Sequence, residues 1–116
     1  MSYPELRETV EVTIASGASL SDAADLTGGA LVGIIMPAAW TAASLTFQGS
    51  VDDSTYNNVY NDSGSEYTVA ADASRLIVLD PADFVSARHL KVRAGTSGTP
   101  VNQGAARTIT LVVRPI

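Results

Sequence analysis

Oxygen-bearing side chains crowd one stretch of this chain. Asp52, Asp53, Asn57, Asn58, Asn61, Asp62 and Glu66 supply the carboxylate and amide oxygens that a calcium ion takes as ligands. The spacing of a calcium loop is not there. Counting from Asp53, the sixth place holds Asn58 where a glycine must make the turn, and the twelfth holds Gly64 where a glutamate must close the shell. Asp, Asn, Ser and Gly also gather in turns because they bond their own backbone and tolerate unusual dihedrals. The stretch therefore reads as a turn-rich hairpin, with no metal and no cofactor expected. Asn61-Asp62-Ser63 matches a glycosylation acceptor, which matters only in a secreted chain.

Other chemistry is as thin. The one histidine, His89, lies in "ARHLKVR". With Leu90 and Val92 pointing into a core, His89 faces out beside Lys91 and Arg93, and a lone histidine of that kind lacks the partners of a catalytic group. No nucleophile elbow, phosphate loop, zinc-protease helix or dinucleotide fingerprint occurs. The chain is not expected to be an enzyme. Four aromatic residues, Trp40, Tyr56, Tyr60 and Tyr67, could form a stacking platform for sugar rings. Tyr56 and Tyr60 share the parity of one strand face with Tyr67 across a hairpin, so pairing among the tyrosines accounts for them equally well. Trp40 sits in "MPAAWTAAS", where small neighbours let the indole fold back over the end of a core. A core plug is the expectation there.

The elements that must position these groups are strands. "TVEVTI" (Thr9–Ile14) alternates Val10, Val12 and Ile14 with polar residues, as a half-buried strand does. "ALVGIIM" is a continuous apolar run bounded by Gly28-Gly29 and Pro37, which favours a buried strand over a helix. "SLTFQGSV", "NVYND", "EYTVA", "RLIVL", "HLKVRA" and "RTITLVVR" complete about eight short strands separated by turn signals, the pattern of an antiparallel sandwich or barrel. "NVYND" and "EYTVA" flank the turn Asp62–Ser65 and predict a hairpin. One short helical turn is expected near Pro81–Val85, with Asp80 as its cap, Pro81 in the first position and Asp83 beside the positive end. "SLSDAADLTGG" fits helix or short strand pieces, and "RAGTSGTPVNQGAA" reads as loop.

At 116 residues the chain suits one domain with a real core. Residues 1–8 read as an N-terminal arm and 9–116 as a single sandwich. The absence of cysteine excludes disulfides and thiolate metal sites and fits a reducing cytoplasm. "MSYPELRETVEV" lacks the pattern of a secretory leader, and no apolar run approaches the roughly 20 residues that span a bilayer. A soluble chain is expected. A net charge of −5 argues against nucleic acid as a partner. Up to Asn58 the chain holds seven acids and one base, and beyond it five acids and six bases, an asymmetry that suits complementary faces of neighbouring subunits but fits ordinary solvated strand faces better.

Met36-Pro37-Ala38-Ala39-Trp40-Thr41, Leu79-Asp80-Pro81 and Leu90-Lys91-Val92-Arg93 carry a resemblance running from about Val10 to Pro115. The chain resembles a family of small proteins of tailed bacteriophages encoded among virion structural genes. The resemblance implies a jelly-roll-like sandwich on the phage particle and brings no catalytic residues with it. The expected role is capsid decoration: a cement protein on the outer capsid surface, made in the host bacterial cytoplasm, that bridges subunits of the major capsid protein. A homo-oligomer, with a trimer favoured, suits local three-fold positions. The alternative is a carbohydrate-binding adhesion module on a head fibre or tail. Expected contact residues are Tyr3, Pro4, Leu6 and Arg7 of the arm, Trp40, and the basic group Arg88, Lys91 and Arg93.

Overall fold

The computed structural model describes residues 7–115. Eight strands occur in the order β1 (Glu8–Ile14), β2 (Ala24–Asp25), β3 (Gly29–Ile35), β4 (Leu45–Ser50), β5 (Asn57–Asn58), β6 (Leu76–Val78), β7 (His89–Ala94) and β8 (Arg107–Pro115). Among the described residues a single 3₁₀ turn, Pro81–Phe84, lies between β6 and β7. The strands form two four-stranded antiparallel sheets, ordered β1-β8-β3-β6 and β2-β7-β4-β5. Every connection except the one between β4 and β5 crosses from one sheet to the other. Eight strands wound in this way make a jelly roll.

Alternation decides which side chains enter the core. Val12 and Ile14 of β1 pair with Ile109 and Arg107 of β8, and Val12, Ile14, Ile109 and Leu111 are buried. The facing sheet contributes Leu45 and Phe47 from β4 and Leu90, Val92 and Ala94 from β7, all buried. Full burial of each large side chain stabilises by about 1.5–3 kcal/mol. Three rings close one part of this core edge to face: Phe47 with Phe84 at 5.4 Å, Tyr67 with Phe84 at 5.1 Å, and Phe47 with Tyr67 at 6.1 Å between centroids.

The apolar run in β3 has a different logic from uniform burial. Its register against β8 shifts between Leu31 and Gly33, so Val32 is an extra, bulged residue. The bulge resets the parity and lets both Leu31 and Ile34 point inward. Gly33 and Ile35 then fall on the outer face, where Ile35 is exposed. Position 33 is tight, because a Cβ there would lie 3.2 Å from the carbonyl oxygen of Ile77.

The helical turn forms as expected. Asp80 Oδ1 accepts from the Ala82 amide at 3.0 Å, Pro81 begins the turn, and Phe84 drops into the core. Two expectations are corrected. β1 begins at Glu8, so Glu8 belongs to the sheet and not to the arm. "EYTVA" is not a strand: it touches its neighbours through the single bridges Tyr60–Glu66 and Leu45–Val69. This segment leads from β5 in one sheet to β6 in the other and must leave the ladder to make the crossing. Its place in the count is taken by β2, drawn from the segment that fits helix or strand on sequence. In the loop after β7, Gly95 has φ +87°, and a Cβ there would lie 2.5 Å from the carbonyl oxygen of Thr99. Only glycine fits.

Candidate functional site

The outer face of the β2-β7-β4-β5 sheet carries the basic residues expected to touch a partner, in an arrangement unlike an exposed cluster. Register places Arg93 opposite Thr46, Lys91 opposite Gln48 and His89 opposite Ser50. Arg93 is buried, with only 6% of its surface exposed. Its Nη2 donates to Asn58 Oδ1 at 2.7 Å, and its Nη1 to Thr46 Oγ1 at 3.2 Å and Glu66 Oε2 at 3.4 Å. Glu66 in turn accepts from the Ser97 amide at 3.0 Å. The expectation that Arg93 faces water is thus corrected. A hairpin segment and the loop after β7 fold over it, and its guanidinium fastens both to the sheet. Lys91 stays half-buried, with Nζ 4.3 Å from the centroid of the Tyr56 ring. His89 Nδ1 lies 4.0 Å from Asp53, with the side chain 13% exposed. Arg88 is exposed and donates from Nε to Thr27 Oγ1 at 3.1 Å, away from this group.

Trp40 is half-buried and packs against the core, and its Nε1 donates to the Ala43 carbonyl at 3.1 Å. It lies in the crossing from β3 to β4 and covers one end of the sandwich. Beside it is a feature that sequence reasoning missed. Gln103 is 1% exposed and clamps the backbone of Thr41, accepting from its amide at 2.9 Å and donating to its carbonyl at 3.0 Å. Arg107 joins through Gln103 Oε1 and Thr41 Oγ1. One glutamine in a glycine-rich loop carries no sequence signal for such a role. Among the other expected contacts, Arg7 is exposed at the start of the described chain, and Tyr3, Pro4 and Leu6 lie outside the described residues.

The tyrosines do not make a common platform. Tyr67 turns into the ring cluster with Phe47 and Phe84, and its hydroxyl donates to Asp83 Oδ2 at 2.8 Å. Loss of water, followed by the Asp83 hydrogen bond and the Asp83 and Asp80 charges, pushes the Tyr67 phenol up to about 12. Tyr56 donates to Asp53, and burial together with that carboxylate pushes it up to about 12. Tyr60 stands apart and is exposed.

Of the carboxylates considered as calcium ligands, Asp52 and Glu66 accept from backbone amides and Asp53 accepts from the Tyr56 hydroxyl. Asp52 Oδ1 accepts from the amides of Thr55 at 2.9 Å and Ser54 at 3.0 Å and from the Ser50 hydroxyl at 2.9 Å, which holds its carboxyl below the usual aspartate value. Asn61 Oδ1 gathers the amides of Ser63 and Ser65. Among the described residues no group of three or more His, Cys, Asp or Glu side chains is arranged to hold a metal ion.

Two surface features remain. The first is an apolar strip on the outer face of the β1-β8-β3-β6 sheet. Ile35 pairs with Leu76 and Gly33 with Val78, and these three large side chains are exposed, Leu76 at 65% and Val78 at 82%. Because β6 is the last strand of its sheet among the described residues, the strip borders a sheet edge. The second is an open cleft of about 530 Å³ between β4, β5 and the 3₁₀ turn. Its apolar lining includes Val51, Val59, Phe84 and Ala87, and its polar lining includes Asp52, Asn57, Asn58, Tyr60, Asp83 and Ser86. A scan against models of known protein families finds no match to this chain, and a search of curated proteins finds none either.

Proposed function

We propose that this chain is a bacteriophage virion structural protein that decorates the capsid, binding the major capsid protein and bridging its subunits as a homo-oligomer, with a trimer as the leading form. The observation that carries the reading is the apolar strip of Ile35, Leu76 and Val78. An exposed apolar strip at a sheet edge is a liability on a free monomer and a ready seat against another protein. The bulge at Val32 turns Ile35 to this face, and Gly33 places no side chain beside Val78. The sequence resemblance from Val10 to Pro115 and the jelly-roll topology support the same reading, although the topology alone serves many functions. The mechanism is mechanical. Each copy covers a junction between capsid subunits, excludes water there, and gains avidity from many neighbours on a lattice.

Cryo-electron microscopy of particles carrying the chain is the test. Density for the jelly roll in register with the capsid lattice, lost when Leu76 and Val78 are both changed to glutamate, is the expected result. Density confined to a fibre or tail tip, or capsid occupancy untouched by the double substitution, overturns the reading.

A further inference from the structure

The cleft between β4, β5 and the 3₁₀ turn has no part in the capsid seat, which lies on the other sheet. Its size falls within the roughly 300–1,000 Å³ of small-molecule sites. We propose that it binds one or two rings of a neutral saccharide.

Three observations select that ligand class. The accessible apolar lining, Val51, Val59 and Ala87, suits the C–H face of a pyranose ring. Phe84 is buried beneath this floor, and its edge-to-face contacts with Phe47 and Tyr67 fix the turn that carries Asp83. The polar lining is rich in acceptors. Asp83 gives one oxygen to Tyr67 and Asp52 gives one to its own turn, and the second oxygen of each carboxylate has no hydrogen-bond partner among the described residues. The Asn57 side chain likewise has none. Vicinal hydroxyls satisfy such a set, donating to carboxylates while accepting from amides. Finally, no Lys, Arg or His lines the cleft, and two carboxylates do, so phosphates and acidic sugars are repelled. Tyr60, exposed at the cleft, offers a ring face beside the polar groups.

Backbone-amide NMR of the full chain, titrated with glucose, galactose, mannose, lactose and maltose, tests this. At least one sugar should give saturating shifts centred on Gly49, Asn57–Tyr60 and Phe84–Ala87, with a Kd on the order of 1 mM. Asn57→Ala and Val59→Trp, the second filling the cleft, should each weaken binding about ten-fold or more, roughly the loss of one good contact. Circular dichroism melting separates lost binding from lost fold, and the exposed Asn57→Ala variant should melt as the parent does. Absence of saturating shifts with all five sugars overturns the proposal. So does saturation centred on Trp40, equal affinity for glucose 6-phosphate, or an Asn57→Ala variant that folds and binds unchanged.

Discussion

Replacing Arg93 with methionine keeps the aliphatic stem and removes the guanidinium, and the structure assigns it a large cost for a residue of a type usually found on surfaces. Three hydrogen bonds disappear, of which the one to Asn58 is short at 2.7 Å while those to Thr46 and Glu66 are long at 3.2 and 3.4 Å. Glu66 then stays 87% covered without its cation, since its side chain is 13% exposed. Breaking a buried ion pair from one side costs about 3–5 kcal/mol. Glu66 keeps its bonds from the Ser97 amide, and the Arg93 contacts to it are long, so the lower end applies: about 3 kcal/mol. Urea unfolding followed by Trp40 fluorescence reads this as a fall in midpoint at constant slope. Adding Glu66→Gln to Arg93→Met should restore about 1–2 kcal/mol, because the orphaned charge is gone. A loss below about 0.5 kcal/mol, the scale of a solvent-exposed pair, would refute the argument and return Arg93 to the surface.

Trp40→Ala should cost about 2 kcal/mol, less than the 3–5 of a fully buried aromatic, because the indole is half-covered; an unchanged urea midpoint would remove it from the packing. Tyr56 and Tyr67 should titrate near pH 12 by phenolate absorbance, and Tyr67→Phe should delete one late titration. Their raised values mean that the folded state favours the neutral phenol, so this contribution to stability is complete below about pH 10 and is lost as pH rises toward about 12. Release of all the phenols together near pH 10 in the folded protein would contradict that environment.

Local sequence by itself determined the β class, the longer strands and the helical turn. Each depends on neighbours in the chain: Val10, Val12 and Ile14 at a spacing of two, and Asp80 directly before Pro81. Strand alternation also placed Leu90 and Val92 inward correctly. What alternation could not decide is how far the outer face stays open to water. Lys91 and Arg93 have the same parity, yet Arg93 lies under the segment containing Glu66 and the loop containing Ser97, which approach only once the chain has wound through both sheets. The same holds for Gln103, whose partner Thr41 is distant in sequence. The two-residue strands β2 and β5 form because β7 and β4 present open edges to them, not because of their own propensity. The cleft and the apolar strip are products of the fold as well. Asn57 and Asp83, or Ile35 and Leu76, become neighbours only through strand order and a bulge, and no period in the sequence encodes contacts between segments so far apart.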